Sequence, residues 1–135
     1  MKFKLLVLLV FVAHANAEEI AYSKISEAQS VRYGKNLIRY FQVYGEPCTY
    51  FQLIDSKNKW NVATTKKFCS LDGKSFWTDF SDTAVTGIKI SDDGISIDLS
   101  ITPLEPTGEQ KKKCFMPVSA EAFGAVDCES VETED

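Results

Sequence analysis

The side chains that could do chemistry in this chain are mostly carboxylates. Asp79 and Asp82 are near each other in sequence, and the chain holds 19 Asp and Glu in all. Two acids facing across a cleft, roughly 5–9.5 Å apart, would suit hydrolysis of a glycosidic bond. With so many acids some will fall close together by chance, and no spacing singles out a pair. Asp92 and Asp93 are adjacent, but a calcium loop needs alternating acids and a distal glutamate. The string Ser91-Asp92-Asp93-Gly94 has turn chemistry instead. Ser56-Lys57-Asn58-Lys59 fits the serine/lysine pattern of penicillin-binding enzymes, yet neither S-D-N nor K-T-G accompanies it.

The single histidine, His14, falls in a segment with the layout of an export signal. Lys2 and Lys4 precede an apolar run from Leu5 to Val12, and Ala15-Asn16-Ala17 offers a small-x-small cleavage site. The run is shorter than the roughly 20 residues of a membrane span. No cysteine follows the cleavage site to carry a lipid anchor. Cleavage after residue 17 would leave a product without imidazole. That excludes Ser/His and Cys/His nucleophile pairs, the usual base near neutral pH, and the commonest metal ligand.

Loss of Lys2 and Lys4 would move the formal charge from −4 to −6. Such a chain is ill suited to neutralising nucleic-acid phosphates, and better suited to a cationic protein. The four cysteines, Cys48, Cys69, Cys114 and Cys128, are even in number, which in an exported chain implies two disulfides. Three connectivities exist. Cys48–Cys69 with Cys114–Cys128 is favoured, because each closes a short loop. No C-x-x-C spacing supports zinc, and no cofactor motif is present.

The elements that must position these groups are mostly strands. Residues 31–44 are β-branched and aromatic, with Leu37, Phe41 and Val43 on one face and Ile38, Tyr40 and Tyr44 on the other. They read as one strand covered on both sides, although Leu37, Ile38 and Phe41 also fit a helix over 26–41. Residues 48–54 and 60–65 flank a turn; residues 75–80 read as a strand. Residues 84–90 and 95–101 form the clearest hairpin, with Asp-Gly at its tip supplying positive φ angles. Lys111 to Val118 is a further strand. Ala120 to Ala125 reads as a connector with one helical turn before Val126 to Cys128, and residues 129–135 as an acidic, frayed tail. The expectation is an all-β sandwich or barrel of about seven strands over residues 18–128. The alternative is an α+β domain with one N-terminal helix.

Aromatic pairs supply the candidate interface. Adjacent residues in a strand point to opposite faces, so Phe76 in the core would leave Trp77 and Asp79 on the wetter side. Tyr40/Phe41 and Tyr50/Phe51 repeat the pattern. Tyrosine and tryptophan anchor protein interfaces more often than other residues. Trp77, Asp79, Tyr40, Tyr50, Asp92 and Asp93 are therefore the candidate partner-binding residues. The pattern points to a non-enzymatic protein exported to a periplasm or the extracellular space. There it would block another exported, cationic protein, as an inhibitor or immunity protein does. A carboxylate-only carbohydrate enzyme and a small-ligand carrier are the alternatives.

Overall fold

The computed structural model describes residues 19–131; residues 1–18, with the expected leader and His14, and residues 132–135 lie outside them. Strands β1 (Ile25–Tyr33), β2 (Asn36–Val43), β3 (Thr49–Asp55) and β4 (Asn61–Phe68) form one antiparallel sheet in that order. After a two-residue pair, β5 (Ser70–Leu71) and β6 (Lys74–Ser75), a second antiparallel sheet follows. It contains β7 (Phe80–Ser91), β8 (Gly94–Pro103), β9 (Gln110–Pro117) and β10 (Asp127–Ser130), ordered β10-β9-β8-β7. The all-β expectation holds, and both favoured disulfides are formed. They point to an oxidising environment. Among the described residues no helix is long and apolar enough to cross a membrane.

The sheets stack on one apolar core. Ile38, Phe51, Leu53 and Phe68 come from the first sheet; Ile95, Ile97, Leu99, Ile101, Cys114 and Met116 come from the second. On β8 the isoleucines and Leu99 are buried while Ser96 and Asp98 are exposed, as a strand with one wet face requires. Each such buried aliphatic side chain contributes about 1.5–3 kcal/mol.

The first sheet is also covered on its outer face. Phe41, Val43, Cys48 and Tyr50 form a second cluster there, packed against Ile20, Ala21 and Ile25. Tyr22 completes this strap. Its ring lies 5.9 Å from Phe41, its hydroxyl accepts from Gln52 Nε2 at 3.1 Å, and Tyr44 N donates to Lys24 O at 2.7 Å. Every residue of β3 from Thr49 to Ile54 is consequently buried.

Five expectations need correction. Residues 26–41 are neither a helix nor part of one long strand. Gly34, at φ +58°, turns the chain between β1 and β2, a left-handed conformation that glycine adopts without steric cost. Residues 75–80 are not a strand. Asp79 N donates to Ser75 O at 2.9 Å, and Ser75 N donates to Asp79 Oδ2 at 2.7 Å, so the segment closes into a turn. At the β7–β8 tip Asp92 and Asp93 keep ordinary negative φ, and Gly94 stands at +157°. Glycine is required there by close approach: a Cβ would sit 2.3 Å from the Met116 carbonyl oxygen. The left-handed Asp-Gly turn occurs instead between β5 and β6, at Asp72 (φ +50°) and Gly73 (φ +77°). Residues 120–125 hold no helical turn, only a bridge between Val118 and Phe123. Glu129 and Ser130, read as the start of a frayed tail, pair with Lys113 and Lys112.

Candidate functional site

Two segments meet at the end of the sandwich where β2 leads into β3. One is Gly45-Glu46-Pro47, the tight connection before Cys48. The other is the 75–80 turn together with the first residues of β7. Cys48–Cys69 ties the first segment to the start of the β5–β6 hairpin, and Phe76 N donates to Cys69 O at 3.0 Å. Between them lies a cleft of about 380 Å³, lined by Gly45, Glu46, Pro47, Phe76, Trp77, Phe80, Ser81, Asp82 and Thr83.

The cleft is built by aromatic packing. Phe76 is buried edge-on between Phe68, at 5.2 Å, and Phe80, at 5.9 Å. That anchors the turn and leaves Trp77, the next residue, 54% exposed on the rim. Trp77 N donates to Ser75 Oγ at 3.1 Å, which sets the backbone direction of the turn. A β-bulge between Phe80 and Asp82 interrupts the alternation, so that Ser81 and Asp82 both face water. Tyr44, immediately before Gly45, is 81% exposed.

Polar groups of the cleft fall into two kinds. Glu46 Oε2 accepts from the Tyr50 hydroxyl at 2.6 Å, and Lys67 Nζ stands 5.5 Å from the centre of the Tyr50 ring. Burial, and then the Glu46 hydrogen bond, push the Tyr50 hydroxyl above the ordinary tyrosine range, against the opposing pull of Lys67. The phenol stays protonated near neutral pH and serves as a donor. Thr83 is the other kind: its hydroxyl is buried with no hydrogen-bond partner among the described residues. An unsatisfied buried hydroxyl costs about 1–3 kcal/mol. Thr83→Val should therefore raise the unfolding free energy by about 1 kcal/mol, read from urea denaturation. A loss of stability would show that the hydroxyl is satisfied.

Comparison with protein families, with curated proteins and with solved structures gave no match. Of the six candidate residues, only Trp77 lies on the cleft. Tyr50 is 4% exposed and stacks on Phe41 at 5.1 Å, so it supports the cleft from beneath and cannot face a partner. Tyr40 points to the inner side, 6.2 Å from Phe51, and donates to Gln29 Oε1 at 2.8 Å. Asp79 is exposed, but its carboxylate holds the turn that carries Trp77. Asp92 and Asp93 lie at the far end of β7, roughly 35 Å along a strand of this length. Their main-chain carbonyls accept from the Tyr33 hydroxyl and from Val118 N. The acidic tip therefore helps to join the sheets and belongs to no common patch with Trp77. Glu46, Tyr44 and Thr83 were missed in the sequence. The Gly-Glu-Pro turn beside a half-cystine was the available signal for the first two; nothing local marks Thr83.

A broader groove of about 640 Å³ crosses the outer face of the second sheet. The register sets Asp98 beside Lys113 and Lys113 beside Glu129. Charges alternate in sign along this row and no tryptophan lines the groove, which makes this face a weaker candidate than the cleft. Among the described residues no cluster of three or more His, Cys, Asp or Glu could hold a metal ion.

Proposed function

We propose that the protein is an exported, non-enzymatic binding protein of the inhibitor or immunity type, which engages a cationic exported protein through the Trp77 cleft. One observation carries the reading. A half-exposed tryptophan stands on the rim of a concave site that is also lined by Glu46 and Asp82. An aromatic face attracts a cationic side chain through its quadrupole, and nearby carboxylates add a complementary charge. A net charge of −4 for the chain, −6 without the leader, steers a cationic partner in the same direction. Two disulfides suit a compartment where such a partner would be met.

Covalent crosslinking in the native exported fraction, followed by inhibition assays against lysozymes and peptidoglycan amidases, tests the proposal. Trp77→Ala should weaken capture of the partner about thirtyfold, the loss typical of an interface hot spot. Its stability should stay within about 0.5 kcal/mol of the parent, because the side chain is at the surface. No crosslinked partner, or unchanged capture by the variant, would remove the basis of this reading.

A further inference from the structure

The other tryptophan sits at the opposite end of β3. Between β3 and β4 the chain makes a short 3-10 turn over Ser56–Asn58, capped by Asp55 accepting from Lys57 N at 2.8 Å. Lys59 (φ +55°) and Trp60 (φ +60°) then follow, both left-handed. Neither is glycine, and an L side chain is strained in that conformation. That strain places an indole at a hairpin tip, 54% exposed, where it gains nothing from the core.

The surroundings are apolar with a basic margin. Leu37, Ile54 and Val62 are register partners across β2, β3 and β4, and so share the outer face of the sheet next to Trp60. Val62 is exposed like Trp60. The N-terminal strap packs against the cluster of Phe41, Val43, Cys48 and Tyr50, nearer the other end. Lys57 and Lys59 flank the indole. Arg32 is the β1 partner of Leu37 in the same row, and Lys35 lies in the neighbouring turn. The β7–β8 tip reaches the same end of the sandwich, where the Tyr33 hydroxyl donates to the Asp92 carbonyl oxygen beside Arg32 and Lys35, whereas Lys57 and Lys59 stand on the separate β3–β4 hairpin.

From this arrangement we infer that the β3–β4 tip docks on an anionic phospholipid surface. The shape selects lipid over protein. Interface hot spots lie in packed pockets ringed by further contact, whereas Trp60 stands on a convex tip. Tryptophan favours the headgroup level of a membrane, and each basic residue near an anionic leaflet strengthens attachment severalfold. The tip and the Trp77 cleft occupy opposite ends of the first sheet, so a surface-held molecule would still offer its cleft. The inference does not depend on the proposed function.

The test uses the disulfide-intact protein with vesicles of equimolar phosphatidylserine and phosphatidylcholine, and with phosphatidylcholine alone. Trp77→Phe leaves Trp60 as the only tryptophan, and its emission should shift to the blue on the anionic vesicles only. Sedimentation with those vesicles should weaken about thirtyfold in Lys57→Gln/Lys59→Gln and be lost in Trp60→Ala. Circular dichroism should show all variants folded, and Trp77→Ala should sediment like the parent. Equal binding to both vesicle types, unchanged sedimentation of the lysine variant, or binding to soluble polyglutamate with none to vesicles would each overturn the inference.

Discussion

Replacing Phe76 with alanine will lower the unfolding free energy by about 4 kcal/mol, the usual loss for a buried phenylalanine. Phe76 sits in the main core and packs edge-on against both Phe68 and Phe80. The turn has no long strand pairing to replace that anchor, so the cavity will be felt at Trp77 first. Stabilities of domains this size are about 5–15 kcal/mol, so most molecules will still fold at 25 °C. Urea titration gives the stability; the Trp77 emission, read in a Trp60→Phe background, should move toward that of a solvated indole before the global transition. A single transition with unaltered native emission would mean that Phe76 does not position Trp77.

The second large effect is expected from Cys48→Ala/Cys69→Ala. Closing a loop with a sequence separation of 21 contributes about 3 kcal/mol. Removing Cys114–Cys128, with a separation of 14, should cost nearly as much, since the loop-length term differs by only about 0.4 kcal/mol. The two variants separate stability from function. Cys48–Cys69 fastens the Gly45–Pro47 side of the cleft, whereas Cys114–Cys128 fastens β10 to β9 at the register pair far from it. Partner capture should fall in the first variant and hold in the second, both measured where each is fully folded. Equal capture by the two would show that the disulfide does not shape the site.

Local sequence carried much of the fold. Alternation along Ile95–Ile101 marked β8, whose inner row is the floor of the core. Loop economy favoured the two disulfides that form. The failures were also local in origin. Residues 31–44 looked continuous because β-branched and aromatic residues surround Gly34, and only its left-handed φ reveals the turn. Phe76-Trp77-Thr78 has strand propensity, but the carboxylate of Asp79 reaches back to Ser75 N and closes a turn instead. Propensity is a weak preference, and a specific hydrogen bond overrides it.

The sequence by itself determined that this would be a β protein with two short-loop disulfides, an acidic balance and aromatic residues in excess of one small core. Those properties follow from composition and from period-two patterning, which are written in neighbouring residues. Which aromatics meet water was decided only by tertiary structure. Tyr50 is hidden because the Ile20–Ile25 strap lies over the outer face of the first sheet, while Trp77 stands clear on a turn and Trp60 on a strained tip. Coverage is set by what packs from afar, and no local pattern records the arrival of a distant segment.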